Sequence, residues 1–279
     1  MPAPFLRDPV GRYASYPPRP RLHALDLFYR FVVRFALLVV KVMDWRVDVT
    51  GAEHLPRRGP ALIASNHIGY LDFVFLGVGA RCQGRLVRFM AMEESFRHPV
   101  SGPLLRAMKH IPVDRYGEAA AAVDAGVAAL RRGELVGLHP EGLLSRSFVL
   151  QEGKTGAVRM AQASGAPIVP AAVWGTQRIL PPKGRPRLPR HVAVSVRFGE
   201  PIPVPAGADP VEVTRTLMAR ITELLDQAVA AYPQRPASPA DNWWMPAHLG
   251  GSAPTAERAT EETRRRVEKR KAERRGQNA

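Results

Sequence analysis

Residues 61–80, with the sequence ALIASNHIGYLDFVFLGVGA, contain the transition that decides the fold. The first five residues form an apolar run, and polar residues follow them, which is typical of a buried strand that ends in a loop. The ten residues from Leu71 onward have the length and the spacing of a helix. His67 and Asp72 therefore lie where a strand ends and a helix begins, a place where α/β proteins often build sites.

The same alternation continues on both sides of this stretch. Apolar segments predict further strands in the ranges 45–51, 86–92, 111–115, 135–140, 167–175 and 191–199. Segments of helical spacing predict helices in the ranges 101–110, 117–133, 154–165 and 210–232. The pattern predicts one α/β domain over residues 46–232, with a central mixed, largely parallel sheet flanked by helices.

Composition narrows the class of protein. The chain has 279 residues, of which 46% are hydrophobic, which is enough for one large domain or two small ones. Its single cysteine, Cys82, excludes an internal disulfide and a cysteine-rich metal cluster and favours a reducing compartment. The formal net charge of +15 suits nucleic acid, anionic lipid or a phosphorylated substrate as a partner.

The N-terminal region has two parts. Residues 1–21 are rich in Pro and Arg and lack a secretory signal, and we expect them to be disordered. Residues 22–45 are strongly apolar, but Arg30, Arg34 and Lys41 leave fewer than the roughly 18 uncharged residues that a membrane span needs. They predict an amphipathic helix. Two interpretations remain open: it lies in a membrane interface, which we favour, or it packs on the protein's own core.

The C-terminal region, residues 233–279, is predicted to be an irregular segment followed by a basic tail. Trp243 and Trp244 are either a membrane-interface anchor or a flap on the core. The tail, residues 255–279, has nine Lys or Arg and five acids, so it supplies a net +4 of the total charge. Because acids are interspersed, a disordered or solvated helical tail is favoured over a nucleic-acid-binding one. Four cations among prolines in residues 183–190 predict a projecting cationic arm.

His67 and Asp72 are residue types that general-base catalysis uses. A neutral imidazole is suited to removing a proton near neutral pH. A carboxylate that accepts a hydrogen bond from the second ring nitrogen fixes the tautomer and stabilises the imidazolium. Asn66 is expected to add a hydrogen bond beside this pair and to contact the substrate. The spacing alone also fits a loop histidine and an acid that the helix dipole stabilises.

Polar residues follow two other predicted strands. Glu141, Gly142, Ser145 and Arg146 come after the strand at 135–140, and we expect them to orient a polar substrate and to bind an anion. Arg115 ends the extended run IPVDR, and a guanidinium binds phosphate through two parallel charge-assisted bonds.

Four segments together resemble the 1-acyl-sn-glycerol-3-phosphate acyltransferase family of glycerolipid acyltransferases. His67 to Asp72 is similar to the first motif of that family, a histidine and an aspartate separated by four residues. IPVDR at 111–115 is similar to the second motif, whose arginine is implicated in binding the acceptor phosphate. HPEG at 139–142 resembles the third, Phe-Pro-Glu-Gly-Thr-Arg-Ser, and APIVPAAVWG at 166–175 is similar to the fourth.

The third motif departs from the family pattern. Leu143 and Leu144 stand at the positions of its Thr and Arg. Arg115, Arg146 and Lys154 remain as candidates to bind the acceptor phosphate, and the identity of the acceptor is left open. The phenylalanine of the motif is replaced by a histidine, which we interpret as a wall of the site and not as a second base.

The resemblance implies transfer of a fatty acyl group from acyl-CoA or acyl carrier protein to the free hydroxyl of a lysophospholipid. The favoured acceptor is 1-acylglycerol 3-phosphate, which gives phosphatidic acid. His67 is then the general base and Asp72 orients it, with no metal and no cofactor beyond the acyl donor. The resemblance also implies a peripheral location on the cytoplasmic face of the membrane, with anionic headgroups as partners and nucleic acid as an unlikely one.

Two alternatives remain. The same chemistry on another lysophospholipid, a glycolipid or glycerol 3-phosphate is motivated by Leu143 and Leu144. A basic membrane- or nucleic-acid-binding protein without catalysis is the second, and the pair His67 and Asp72 argues against it.

Overall fold

Within the residues that the computed structural model describes, 26–114, 119–181 and 188–277, seven strands form one sheet. The strands are β1 (Arg46–Thr50), β2 (Ala61–Ser65), β3 (Val87–Met92), β4 (Ile111–Val113), β5 (Leu135–Leu138), β6 (Ile168–Trp174) and β7 (Ala193–Phe198). Each lies inside a segment predicted to be a strand.

Helices connect and cover these strands. They are α1 (Leu27–Val42), α2 (Asp72–Ala80), α3 (Glu93–Arg97), α4 (Ser101–Ala107), α5 (Ala119–Arg131), α6 (Gly156–Ser164), α7 (Pro210–Ala230) and α8 (Ala256–Gln277). Six of them, α1, α2, α4, α5, α6 and α7, lie in segments that were predicted to be helical. Their ends also obey the sequence signals: Asp209 caps α7 by accepting a hydrogen bond from Val211 N at 3.0 Å, and Gly165 ends α6 at a φ of +71°.

The sheet has the order β1-β7-β6-β2-β5-β3-β4. Neighbouring strands are parallel except β6 and β7, which are antiparallel. The predicted mixed, largely parallel sheet is therefore confirmed. Since β2, β5, β3, β4 and β6 run in the same direction, their carboxyl ends and the loops that follow them share one edge of the sheet.

The core has a layer on each face of the sheet. On one face Ile63, Phe89 and Val194 pack with Phe75 and Leu76 of α2. On the other, Leu62 and Val136 pack with residues of α5, α6 and α7. All five residues of β2 are buried, which explains why its sequence is a continuous apolar run and does not alternate.

Helix α1 presents three different faces. Val40 and Tyr29 are buried, and the Tyr29 hydroxyl donates to Val87 O at 2.7 Å. Arg34 and Lys41 are exposed on a second face. A third face is apolar and exposed; it comprises Leu27, Phe28, Phe31, Phe35, Leu38 and Val42, and we call it the apolar stripe. The helix thus packs on the core and still leaves apolar surface uncovered.

The helices of the described ranges include none with the length and apolar character needed to cross a membrane. The segment expected to be disordered, residues 1–21, lies outside the described residues, as do Lys183, Arg185 and Arg187 of the expected cationic arm.

The C-terminal region folds back onto the domain. Trp244 is fully buried in a cluster with Trp174, Tyr232 and Ile68. Of the two interpretations of the tryptophan pair, the structure shows the flap on the core. The basic tail forms α8, whose Ala259 and Thr263 are buried, so its first turns pack on the protein.

Candidate active site

His67 and Asp72 meet at the shared carboxyl edge of the sheet. His67 Nδ1 donates to Asp72 Oδ2 at 2.8 Å. His67 belongs to the loop after β2, and Asp72 is the first residue of α2, so its side chain turns back toward the loop. The His67 side chain is 17% exposed and that of Asp72 is fully buried. We call this pair the dyad; its imidazole can be reached by a substrate while its carboxylate cannot.

The Asp72 carboxylate is fixed by four hydrogen bonds. Oδ2 also accepts from the backbone N–H of Ile68 at 2.7 Å and of Gly69 at 2.9 Å. Oδ1 accepts from the hydroxyl of Thr176, in the short helical turn after β6. A buried anion needs such partners to offset its lost hydration, and their number stabilises the ionised form that the His67 ring requires.

Glu141 ties the third-motif loop to the dyad. Its carboxyl oxygens accept from the backbone N–H of His67 at 2.7 Å and of Gln151 at 2.9 Å, and the side chain is buried. Burial raises the pKa of Glu141 to about 8, although these two N–H groups act in the opposite direction. Ser145 N donates to His67 O at 2.7 Å, so both backbone groups of His67 are held by this loop.

His139 stacks on His67. The two imidazole rings are 4.1 Å apart between centroids and inclined by 4°. Burial, followed by the neighbouring His67 ring, lowers the pKa of His139 to about 3, so this ring is neutral at physiological pH. Its Nδ1 lies 3.0 Å from Ser65 Oγ. A neutral ring with one nitrogen held in this way fits a wall of the site, as the sequence suggested.

Asn66 and Ser145, expected beside the substrate, are both turned into the protein. The Asn66 side chain is fully buried and exchanges two hydrogen bonds, of 2.9 and 2.8 Å, with the backbone of Val173 in β6. Ser145 Oγ donates to Val149 O at 2.7 Å and is also buried. The structure therefore places both as braces that position the dyad loop and the third-motif loop, not as substrate contacts.

The candidate phosphate-binding cations differ in their surroundings. Arg115 lies outside the described residues. Arg146 is half-buried and pairs with Glu262 of α8 at 2.8 Å. Lys154 is exposed, and among the described residues it has no ion-pair partner. Its Nζ lies 3.2 Å from the position that a Cβ on Gly142 would occupy, and Gly142 has a φ of +69°, so the ammonium lies over the third-motif turn.

A metal site is not formed by the described residues, in which no three His, Cys, Asp or Glu side chains converge. The chemistry that the arrangement offers is proton transfer: an accessible imidazole with a buried, ionised partner and a neutral aromatic wall.

Comparison with known proteins identifies the family of this chain. A family model described as Acyltransferase matches residues 46–174. The 1-acyl-sn-glycerol-3-phosphate acyltransferase of Bacillus subtilis is 31% identical over 202 residues, which are 72% of this chain and 94% of that protein. The chain belongs to this acyltransferase family.

Two other relatives extend the comparison. A chloroplastic 1-acyl-sn-glycerol-3-phosphate acyltransferase of Brassica napus is 28% identical over 179 residues, 63% of this chain and half of that protein. The crystal structure of the 1-acyl-sn-glycerophosphate acyltransferase PlsC from Thermotoga maritima is similar with a TM-score of 0.63, 20% identity, and coverage of 78% of this chain and 86% of that one. At this identity the likeness shows the fold alone. Family membership makes the chain an acyltransferase and argues against the non-catalytic alternative.

Sequence reasoning missed two residues of this acyltransferase site. Thr176 lies 104 residues from Asp72, and no motif spacing marks it. Glu262 lies in the charged tail, where its pairing with Arg146 is invisible without the fold. The glycine-threonine pair that directly follows Trp174 was the one available signal for Thr176, because a polar residue there joins the same sheet edge as His67.

Proposed function

We propose that this acyltransferase moves a fatty acyl group from acyl-CoA or acyl carrier protein to the hydroxyl of 1-acylglycerol 3-phosphate and so forms phosphatidic acid. The observation that carries the proposal is the dyad, with its partly exposed imidazole and buried carboxylate. The acceptor follows from the names of the similar Bacillus and Brassica enzymes.

In the proposed mechanism His67 is the general base. Because its Nδ1 donates to Asp72, Nε2 is the nitrogen that can accept a proton. As Nε2 removes the acceptor hydroxyl proton, the hydroxyl oxygen attacks the thioester carbonyl carbon. The tetrahedral intermediate then collapses, the carbon–sulfur bond breaks, and the thiolate leaves and recovers the proton from His67. Asp72 stabilises the imidazolium between these steps. General-base help supplies roughly 10²–10⁴-fold of the rate, and no cofactor is required.

Lys154 is proposed to bind the acceptor phosphate. It is exposed beside the Pro140-Glu141-Gly142 turn, and its backbone N–H donates to Pro140 O at 3.0 Å, which fixes it to this turn. Arg115 is a second candidate. Leu143 and Leu144 in place of the family's Thr and Arg favour a second candidate function, transfer to a different lysophospholipid, a glycolipid or glycerol 3-phosphate.

The protein is further proposed to lie on the cytoplasmic surface of a membrane through α1. The apolar stripe leaves Phe31 and Phe35 65% and 58% exposed, and exposed cations at Arg34 and Lys41 flank it. An amphipathic helix of this kind buries its apolar face at the headgroup boundary. Each cation near an anionic surface adds about 1 kcal/mol.

A thiol-release assay across a panel of acceptors tests the function. The wild-type protein is given one acyl-CoA, or acyl carrier protein loaded with the same chain, together with each acceptor in turn. We expect lysophosphatidate to be used fastest; faster turnover with another acceptor would establish the second candidate. His67→Ala should reduce thiol release to background, and its thermal unfolding curve should be the same as that of the wild type. The control His248→Ala, which changes an exposed histidine, should release thiol at the wild-type rate. Normal turnover by His67→Ala would refute the general base.

A further inference from the structure

Thr176 contacts the dyad without belonging to any motif. It is fully buried, it begins the short helical turn Thr176–Arg178 after β6, and its hydroxyl donates to Asp72 Oδ1. We propose that Thr176 is a positioning residue of the acyl-transfer reaction, whose hydroxyl holds the Asp72 carboxylate in the orientation and charge state that His67 needs. This proposal rests on the proposed function of the dyad.

The two oxygens of Asp72 have separate partners. Oδ2 accepts from His67 and from the N–H groups of Ile68 and Gly69. Oδ1 accepts from Thr176. Since the carboxylate is fully buried, water cannot replace a lost donor at Oδ1 without entering the core. Loss of the Thr176 hydroxyl would therefore leave a buried carboxylate oxygen without a donor, and only the hydrogen bonds to Oδ2 would then orient the carboxylate.

The Thr176 hydroxyl can lie this close to Asp72 because residue 69 is a glycine. A Cβ placed on Gly69 would lie 2.9 Å from Thr176 Oγ1 and 3.0 Å from its carbonyl carbon. Any larger residue at position 69 would thus push the hydroxyl away from Asp72. The other side of the turn is held by Gln177, whose Oε1 accepts from Gly175 N at 2.8 Å and whose Nε2 donates to Trp244 O at 3.3 Å. The hydroxyl is therefore pinned between two packed segments.

The charged neighbourhood of the dyad determines the sign of the pH effect. Among the residues that the structure describes, the ionisable side chains in contact with His67 are His139, stacked on its ring, and Glu141, bonded to His67 N. The hydrogen bond from Thr176 favours the anionic carboxylate, so its removal makes the dyad bind a proton more readily. Because the reaction needs unprotonated His67, the acidic limb of the rate profile then moves to higher pH.

The test compares Thr176→Val, which keeps the shape and removes the hydroxyl, with Thr176→Ser, which keeps the hydroxyl. For Thr176→Val we expect kcat to fall on the order of 10- to 100-fold, with KM for both substrates changed less than about twofold because no substrate contact is lost. The acidic limb of the rate profile should move to higher pH. Thr176→Ser should stay within about threefold of the wild type. Thr214→Val, which removes a buried hydroxyl bonded to Pro210 O in α7, is the matched control and should change neither quantity.

Gly69→Ala provides a second route if Thr176→Val fails to fold, because it displaces the hydroxyl while leaving it in the chain. It should lower kcat and raise the acidic limb in the same direction. An unmoved acidic limb, or failure of Thr176→Ser to retain activity, would each overturn the proposal.

A readout without turnover separates this proposal from the proposed function. The ring of His67, labelled with ¹⁵N and assigned by its loss in His67→Ala, is titrated by NMR in the absence of substrate. Its titration midpoint should move to higher pH in Thr176→Val and stay at the wild-type value in Thr214→Val. An inactive wild type with this rise would refute the proposed function alone, whereas an active wild type without the rise would refute the role of Thr176 alone.

Discussion

At the scale of single residues, two cations near the third motif have different neighbours. Arg146 is paired with Glu262, while Lys154 is exposed beside Gly142 and has no ion-pair partner among the described residues. The guanidinium of Arg146 must share its donors between Glu262 and a phosphate, whereas the ammonium of Lys154 is available. The described residues therefore favour Lys154 as the cation that meets the acceptor headgroup.

Lys154→Gln should raise KM for lysophosphatidate on the order of tenfold, because one charge-assisted hydrogen bond to phosphate is lost. The kcat should change little, since the phosphate is bound equally in the ground state and the transition state. Steady-state thiol release at varied acceptor concentration measures both. Arg159→Gln, which removes an exposed positive charge from α6, the helix that follows Lys154, is the control. An equal rise of KM in the two variants would show a general charge effect and not a contact of Lys154.

Glu141 is the second residue whose role can be isolated. Glu141→Gln keeps the shape, but an amide has a single acceptor oxygen, so one of the N–H groups of His67 and Gln151 loses its acceptor. We expect the free energy of unfolding to fall by about 1–3 kcal/mol, together with kcat. Urea unfolding and thiol release measure the two effects. The control Glu152→Gln, at an exposed residue of the neighbouring loop, should change neither the free energy of unfolding nor kcat. If Glu141→Gln is as stable as the wild type, Glu141 does not hold the third-motif loop to His67.

At the scale of secondary structure, α1 has an apolar face that does not pack on the protein core. The apolar stripe runs along the whole helix, from Leu27 to Val42. Phe31→Gln and Phe35→Gln should each weaken binding to anionic phospholipid vesicles on the order of tenfold, since a buried aromatic side chain contributes about 1.5–3 kcal/mol. Vesicle sedimentation measures the partitioning.

Val211→Gln removes an equally exposed apolar residue, 56% exposed at the start of α7, and serves as the control for α1. It should leave vesicle binding unchanged. If it weakens binding as much as Phe31→Gln does, or if neither phenylalanine matters, the membrane contact lies elsewhere on the surface.

The elements of this fold differ in how much of them the sequence predicts. The strands and α2, α4, α5, α6 and α7 were predictable because each has a local signal: an apolar run, helical spacing or a terminal glycine. The two interpretations of α1 could not be separated, because an apolar sequence pattern is the same whether the face meets a lipid or packs on Phe96 and Leu105 of the neighbouring helices. The burial of Trp244 was also hidden, since it depends on partners in β6 and α7.

The candidate site shows the same division. Asp72 and His67 are five residues apart, so their contact is local and their spacing reveals it. Asn66 was predicted beside the substrate, yet its amide matches the backbone of Val173, a partner 107 residues away. Such long-range hydrogen bonds depend on strand order, which residue spacing does not specify. The sequence therefore identifies the reacting groups more easily than the residues that brace them.

At the scale of the whole molecule, buried ionisable groups set the pH range of stability. Burial lowers the pKa of His139 to about 3 and that of His110 to about 4, both from an ordinary value of 6.5. The unfolded chain then binds more protons than the native one between these values, so stability falls as pH falls from 6.5. Glu141 has the opposite sign: with its pKa raised from 4.5 to about 8, its contribution is lost as pH rises through this range.

His139→Phe isolates the acid-sensitive part of this balance, and it restores the residue type of the family's third motif. The variant can stack on His67 but cannot be protonated, so its melting temperature should fall less than that of the wild type between pH 6.5 and 4, with the remaining decline due to His110 and the carboxylates. At pH 7 it should keep thiol release, because the neutral His139 ring acts as a wall. Thermal unfolding at stepped pH measures the difference, with His248→Gln at an exposed position as the control. Parallel curves for His139→Phe and the wild type would mean that the native protein accepts a proton on His139 without cost, and that the ring is open to water.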